Sequence, residues 1–162
     1  MCDDERKGTL LDIGTGPGFP AWPLACAFPD LQVTAMDSNS KMLEFLRRHP
    51  LPNLEIVEGR AEEMRRSRHY DVVTGRAVAP LSAQLEISAD YAKLERKIIP
   101  MRTPNDDLQA PDYGILGLEL GNVETVTLPG TDIQRTFPIY WKRKHTPNRF
   151  PRRWSEIKKK PL

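Results

Sequence analysis

The chain has 162 residues, of which 28% are charged and 39% are hydrophobic, and its net charge is +2. This length fits one domain with a sizeable core, and no apolar run approaches the roughly 18 residues that a membrane span needs. The acidic start shows no signal peptide, and two cysteines are too few for a disulfide framework or a zinc site. We therefore expect a cytoplasmic protein with Cys26 as a small core residue.

Charge is distributed unevenly along the chain. Nine of the 24 basic residues, but only one of the 22 acidic residues, lie from Lys142 onward. The last 21 residues therefore carry a charge of +8 and the preceding part carries −6. A basic segment on an acidic body suggests a polyanionic partner; the alternative is a segment that only aids solubility.

Residues 8–101 alternate between short apolar runs and helical patterns. The apolar runs end at glycine, proline or polar clusters and predict strands over 8–13, 31–36, 54–57, 70–74 and 97–101. Helical spacing between them predicts helices over 18–28, 40–48, 60–66 and 80–92. Prolines in the first of these helices are compatible with a first turn, whose N–H groups lack helical partners. This alternation predicts a parallel α/β sheet with right-handed crossovers.

The final third of the chain has a different pattern. Prolines and polar residues predict a loop that begins at 103, and a helix is predicted over 113–120. Two apolar runs, 123–128 and 137–141, are joined through Pro129-Gly130 and predict an antiparallel pair. We therefore expect a Rossmann-like α/β fold, with a central, mostly parallel seven-stranded sheet that ends in an antiparallel hairpin.

Residues 10–19 read LLDIGTGPGF, and they follow a predicted strand and open a predicted helix. The three glycines allow sharp turns and close approach of a ligand to the backbone. The dinucleotide pattern G-x-G-x-x-G/A fits only from Gly16, with Ala21 as its last position, so NAD stays an alternative. Two features favour S-adenosylmethionine over NAD. Asp12 lies at the strand end, where a methyltransferase places an acidic group near the methionine part of its cofactor. The bulky Phe19 would intrude where a pyrophosphate needs bare backbone.

Asp37 lies at the end of the second predicted strand. A carboxylate at this position can accept hydrogen bonds from both ribose hydroxyls of either cofactor. The alternative interpretation is a cap for the helix that begins at Ser40.

These residues resemble the RsmG (also called GidB) family, bacterial methyltransferases that modify guanine N7 in small-subunit (16S) ribosomal RNA. The match extends from the glycine loop through 37–38, 60–62, the sequence YDVVTGRAVA at 70–79, and FPRR at 150–153. The resemblance implies a class I S-adenosylmethionine-dependent methyltransferase that acts on the 530 loop. Its implied partner is 16S rRNA or the 30S subunit, and we expect a monomer.

The resemblance also implies site residues. It places the cofactor on Gly14, Phe19, Ala61, Glu62 and Arg76, with Asp37 at the ribose and with Gly16 and Gly18 completing the loop. The candidates for RNA binding are Arg60, Arg102, Lys144, Arg149, Arg152, Arg153, Lys158, Lys159 and Lys160.

Guanine N7 carries a lone pair and no proton, so neither a catalytic base nor a metal is expected. Arg76 and Arg102 are instead candidates for positioning the substrate. We expect a methyltransferase domain over residues 1–144 and a basic RNA-binding tail over 145–162, in which Phe150 and Trp154 stack bases.

The sequence departs from the family pattern at four places. The family's helical N-terminal segment has no counterpart here, and Ala21-Trp22 replaces the usual Gly-Ile. Arg102 replaces a lysine, and residues 94–97 lack the glycine turn that precedes the fifth strand. The alternatives at this point are an NAD-binding oxidoreductase, a truncated RNA- or S-adenosylmethionine-binding module with weak catalysis, and a small-molecule methyltransferase.

Overall fold

The computed structural model describes residues 7–64, 69–108 and 112–162. Within these ranges the strands are β1 (Gly8–Ile13), β2 (Leu31–Asp37), β3 (Leu54–Glu58), β4 (Tyr70–Arg76), β5 (Ala92–Met101), β6 (Leu118–Thr127) and β7 (Gln134–Lys142). The helices are α1 (Ala21–Ala27), α2 (Ser40–Arg48), α3 (Leu81–Ser88) and α4 (Trp154–Lys159), and Tyr113–Leu116 forms a 3₁₀ helix. None of the helices in the described ranges is long and apolar enough to cross a membrane.

The strands form a seven-stranded sheet in the order β3-β2-β1-β4-β5-β7-β6. The first five strands pair in parallel, and β7 pairs antiparallel with both β5 and β6. This confirms the predicted fold class. The strand order reverses between β1 and β4, and ligands of open α/β sheets bind beyond the carboxyl ends of the strands at such a switch point.

Hydrophobic side chains cover both faces of the sheet. Leu10 and Leu11 are neighbours in β1 but belong to different buried clusters, because successive strand residues point to opposite faces. The Leu10 cluster includes the buried residues of α1 and α2. The Leu11 cluster includes α3, in which every residue is buried, and one residue of α4.

Residues 150–162, which we call the C-terminal segment, are part of this second cluster. Phe150 and Ile157 are buried in it, and the half-buried Leu162 packs against the cluster. The preceding Lys142 is also buried, and its Nζ donates a hydrogen bond to the carbonyl oxygen of Leu116 at 3.0 Å. One side of the basic region therefore belongs to the hydrophobic core.

The predicted helix over 113–120 is wrong beyond its first turn. Tyr113–Leu116 is a single 3₁₀ turn, after which Gly117 adopts a left-handed φ of 77°. A Cβ at this position would clash with the carbonyl oxygen of Lys144. Gly117 therefore ends the turn, and the chain enters β6 earlier than the predicted start at 123.

β5 also begins earlier than predicted, at Ala92 instead of 97. The stretch without a glycine turn contains Glu95, which adopts a φ of 58°. The pairing with β4 shifts register between Tyr70 and Val72 to accommodate this bend. A non-glycine residue thus adopts the backbone conformation for which glycine is usual.

Two further predictions concern short segments. Cys26 is an exposed free thiol rather than a core residue, because Ala21 and Ala25 are the α1 residues that face inward. Of the helix predicted over 60–66, residue 60 has no regular structure, residues 61–64 form turns and a bend, and residues 65 and 66 lie outside the described residues.

Candidate active site

The glycine-rich loop after β1 is tied to the neighbouring strand by its main chain. The N–H groups of Gly14 and Thr15 donate to the carbonyl oxygen of Met36 at 2.8 and 3.0 Å. Gly14 and Gly18 have φ values of 67° and 110°, which other residues rarely adopt. A Cβ on Gly18 would also clash with the buried side chain of Leu46. The loop therefore requires glycine for both conformation and space.

Asp37 holds the same loop from the end of β2. Its Oδ2 accepts a hydrogen bond from the N–H of Gly16 at 2.8 Å, and its Oδ1 accepts one from Asn39 N–H at 2.8 Å. Each carboxylate oxygen has further lone-pair capacity, so Asp37 can still accept hydrogen bonds from a ligand. The alternative cap role belongs to Asn39, whose side chain accepts from Lys41 N–H.

A cavity of about 180 Å³ lies beyond the carboxyl ends of β1, β2 and β3. Four residues predicted to bind the cofactor line it, namely Gly14, Asp37, Ala61 and Glu62. The buried Tyr91 hydroxyl donates to the carbonyl oxygen of Ala61 at 2.8 Å, which fixes the loop after β3.

Glu62 presents at this cavity a carboxylate oxygen that is ion-paired with Arg60 but accepts no hydrogen bond from the described residues. Its side chain is 6% exposed, and its Oε1 has no hydrogen-bond partner among the described residues. The Nη1 of Arg60, which was predicted to bind RNA, lies 3.5 Å from it. A buried carboxylate with an unfilled acceptor fits a ligand that carries N–H or O–H groups, as the adenosyl part of S-adenosylmethionine does.

Asp12 lies beneath the loop and is fully buried. Its Oδ2 accepts a hydrogen bond from the N–H of Ala21 at 3.1 Å. Burial raises the pKa of Asp12 to about 6, although this bond and the charge of Arg76 act in the opposite direction. The nearby Thr15 hydroxyl also lowers the pKa, but it makes no hydrogen bond of standard geometry with Asp12.

Arg76 lies at the end of β4 and is exposed. Its guanidinium carbon is 5.8 Å from the centroid of the Phe19 ring, a distance typical of a cation–π contact. Phe19 is 46% exposed. Arg76 lines a second, open cleft with Arg102 and Arg135 rather than the cavity that Asp37 lines. Of the predicted cofactor residues, four therefore line the cavity and Arg76 lines the cleft, whereas Gly16, Gly18 and Phe19 line neither.

Arg102 is engaged inside the protein. Its side chain is 11% exposed, and its Nε donates to Asp106 at 2.8 Å. Its Nη1 donates to the carbonyl oxygen of Ala79 at 3.0 Å and to Gln84 Oε1 at 3.2 Å. Arg102 therefore holds the loop that follows Arg76, and its predicted contact with RNA stays a prediction.

The predicted RNA-binding residues differ in their exposure. Those that are exposed are Arg60, Lys144, Arg149, Arg153, Lys158, Lys159 and Lys160. Arg152 instead forms an ion pair with the fully buried Glu86, at 2.6 Å between Nη2 and Oε2. The structure therefore gives Arg152 an internal role, and its predicted contact with RNA stays a prediction.

Ile87, Val78 and Trp154 line the cavity although none of them was predicted as a cofactor contact. Trp154 was expected to stack RNA bases, because it lies among basic residues. The sequence signal that singles out Trp154 is a large aromatic side chain in an otherwise basic segment. This signal indicates a binding role but does not distinguish RNA from the cofactor as the ligand.

Comparison with known proteins identifies the family. A family model described as rRNA small subunit methyltransferase G matches residues 1–126. The protein named ribosomal RNA small subunit methyltransferase G from Lachnoclostridium phytofermentans is 39% identical over 95% of this chain and 69% of its own length. Its namesake from Clostridium perfringens is 35% identical over 99% of this chain and 73% of its own length. The chain belongs to the rRNA small subunit methyltransferase G family.

Solved structures of methyltransferases share the fold. A methyltransferase from Pyrococcus furiosus superimposes with a TM-score of 0.66 at 21% identity, covering 85% of this chain and 76% of that one. TYW2 from M. jannaschii, in complex with AdoMet, has a TM-score of 0.68 at 15% identity, covering 88% of this chain and 72% of that one. These likenesses confirm the class I methyltransferase fold.

Membership of the rRNA small subunit methyltransferase G family confirms the resemblance predicted from the sequence. It confirms a methyltransferase family whose cofactor is S-adenosylmethionine and whose substrate is the rRNA of the small ribosomal subunit. The alternatives of an NAD-binding oxidoreductase and a small-molecule methyltransferase are therefore wrong.

Proposed function

We propose that this chain transfers a methyl group from S-adenosylmethionine to N7 of a guanine in the 530 loop of 16S rRNA. The observation that carries the proposal is the pairing of a cavity lined by predicted cofactor residues with an arginine-lined cleft. Val78 lines the cavity and its neighbours Ala77 and Ala79 line the cleft, so only one loop separates the two.

The residues of the cavity suit the adenosyl part of the cofactor. Asp37 would accept hydrogen bonds from the ribose hydroxyls, and the unfilled Oε1 of Glu62 would accept one from a donor on the ligand. When bound, the cofactor supplies a methyl group on a positively charged sulfur. The family resemblance adds Phe19 and Arg76 to the same ligand.

The chemistry of guanine N7 explains why no acid–base pair is needed. N7 carries an in-plane lone pair and no proton, so the protein has only to align N7 with the methyl carbon and the sulfur. Because the methylated ring is cationic, an arginine is better placed at guanine O6 or at a phosphate than at N7. The exposed Arg76 suits that role, and the target base must leave its stack to reach it.

The exposed basic residues of 145–162 provide the proposed RNA surface. Arg149, Arg153 and the three consecutive lysines Lys158, Lys159 and Lys160 are exposed there, and Lys144 adjoins them. Such residues bind phosphates and position the enzyme without reading sequence. We also propose that the protein acts as a monomer in the cytoplasm, where its rRNA substrate is found.

The decisive experiment is methyl transfer from labelled S-adenosylmethionine to 30S subunits that lack the modification. Mass spectrometry of the digested 16S rRNA should place the label on guanine N7 in the 530 loop. Label on another base or another atom would refute the proposed specificity. If calorimetry detected no binding of S-adenosylmethionine, the cofactor assignment itself would fail.

Arg76→Ala separates the two roles predicted for this residue. If Arg76 positions guanine, turnover on 30S subunits should fall while the affinity for S-adenosylhomocysteine stays within about threefold of wild type. A loss of affinity for S-adenosylhomocysteine that matches the loss of turnover would instead assign Arg76 to the cofactor.

A further inference from the structure

The C-terminal segment is fastened to α3 by a buried ion pair. Glu86 Oε1 accepts hydrogen bonds from the main-chain N–H and the Nε of Arg152 at 2.8 and 2.9 Å, and Oε2 accepts one from Nη2 at 2.6 Å. The remaining Nη1 donates to the carbonyl oxygen of Lys160 at 2.9 Å. A planar guanidinium with this many contacts fixes the orientation of the chain as well as its distance from α3.

Trp154 begins α4 two residues after Arg152. Ile157, one turn further along α4, is buried in the cluster that contains α3, and this fixes the rotation of the short helix. Trp154 packs against the same cluster and is half-buried. Trp154 lines the cavity together with Asp37, Glu62 and Ile87, the residue that follows Glu86 in α3.

We infer that Trp154 contacts the adenosyl part of the cofactor and that the Arg152–Glu86 pair positions it there. The inference rests on the proposed function, because it takes the cavity to be the cofactor site. Trp154 shares the cavity with residues at the ends of β2 and β3, where the ribose and purine would lie. A flat indole face stacks favourably on a purine ring, and Glu62 provides an acceptor in the same cavity.

The first test measures binding of S-adenosylhomocysteine by calorimetry. Trp154→Ala should weaken binding by about tenfold, because it removes the stacking surface, whereas Trp154→Phe should stay within about threefold of wild type. Trp22→Phe is the matched control, since Trp22 packs with the opposite cluster and donates its Nε1–H to His49. Wild-type affinity in a folded Trp154→Ala variant would overturn the inference.

Intrinsic fluorescence provides a second readout. S-adenosylhomocysteine should change the tryptophan emission of the wild type and of Trp22→Phe, and this change should be absent in Trp154→Phe. A ligand-induced change that persists in Trp154→Phe would place the responding indole elsewhere and contradict the inference.

A double-mutant cycle tests the positioning role of the ion pair. Because Arg152→Ala would leave the buried Glu86 carboxylate without its partner and endanger folding, the cycle uses Arg152→Lys. Arg152→Lys should weaken S-adenosylhomocysteine binding severalfold in the wild-type background and have no further effect in Trp154→Ala. Additive effects would refute positioning through Trp154, and Arg48→Lys, at an exposed arginine of α2, should change neither background.

The outcomes also separate this inference from the proposed function. If the wild type binds S-adenosylhomocysteine and Trp154→Ala binds it equally well, the inference fails and the proposed function stands. If the wild type does not bind S-adenosylhomocysteine, both fail, because the cavity is then not a cofactor site.

Discussion

The glycine loop (residues 14–19) and the C-terminal segment approach the same cavity but are held in different ways. Three main-chain N–H groups of the loop donate to the end of β2. The C-terminal segment depends on side chains instead, namely the Arg152–Glu86 pair and the buried Phe150 and Ile157.

This difference determines which substitutions each region tolerates. The donors of the loop are all main-chain N–H groups, so its hydrogen bonds do not depend on the side chains of the loop itself, provided that φ stays accessible and no Cβ intrudes. A side-chain anchor is lost when one group is removed, and a buried charge then remains unpaired. One wall of the cavity is therefore sensitive to backbone conformation and the other to charge and volume.

The largest expected effect is at the charged anchor. Arg152→Ala should lower the free energy of unfolding by about 3–5 kcal/mol, because it leaves Glu86 buried without a counter-charge. Lys159→Ala, in the same segment but exposed, should change it by less than about 0.5 kcal/mol. Urea unfolding at neutral pH measures both free energies. Equal stability of the two variants would show that the Arg152–Glu86 pair contributes no more to stability than an exposed lysine does.

The carboxyl group beneath the glycine loop should make stability depend on pH. The pKa of Asp12 is raised from 3.8 to about 6, so its neutral form is favoured in the fold. The contribution of the neutral carboxyl group to the free energy of unfolding is complete below about pH 4 and is lost as pH rises through about 6. The total loss is on the order of 3 kcal/mol. Urea unfolding between pH 4 and pH 7 should show this decline in the wild type but not in Asp12→Asn. If the stability of the two proteins changed with pH in the same way, Asp12 would not be the group responsible.

Two glycines of the loop provide a matched pair that tests its backbone dependence. Gly18→Ala should lower the free energy of unfolding by about 2–3 kcal/mol, because φ is unfavourable for alanine and the added Cβ would clash with Leu46. Gly16→Ala should lower the free energy of unfolding by about 1 kcal/mol, since a Cβ there meets nothing within 4 Å and only the φ of 59° disfavours alanine. If chemical denaturation ranked the two variants equally, close packing would not be the reason for glycine at 18.

The smallest effect on stability should come from the three consecutive exposed lysines. Changing Lys158, Lys159 and Lys160 to alanine should leave the free energy of unfolding within about 0.5 kcal/mol of wild type. The same variant should reduce the slope of log affinity for rRNA against log salt by about 2 units, because three phosphate contacts are lost. An unchanged salt slope would exclude these lysines from the RNA surface.

The parallel half of the sheet and its glycine loop could be predicted because their signals are local. β1 and β2 are short apolar runs that end at glycine or a polar residue, and burial on both faces requires such runs. The helix prediction over 113–120 failed because an apolar stretch does not reveal a left-handed backbone at Gly117. Cys26 was misplaced for a similar reason, since α1 turns Ala21 and Ala25 inward.

The contribution of the C-terminal segment could not be predicted because it depends on contacts between distant positions. Arg152 and Glu86 are 66 positions apart, and neither residue type signals a partner at that distance. A basic segment with an interspersed aromatic residue is typical of RNA binding. The sequence analysis therefore assigned Trp154 to RNA and did not predict that it lines the cavity. Only the burial of Ile157 in the cluster that contains α3 shows which face of the segment is internal.

The separation between Glu86 and Arg152 also has a consequence for synthesis on the ribosome. α3 emerges well before the residues that neutralise its buried carboxylate, because translation runs from the amino to the carboxyl end. A nascent chain that still lacks residues 150–162 has Glu86 without its counter-charge and the cavity without the Trp154 wall. The pocket is therefore finished only after translation has passed through that segment.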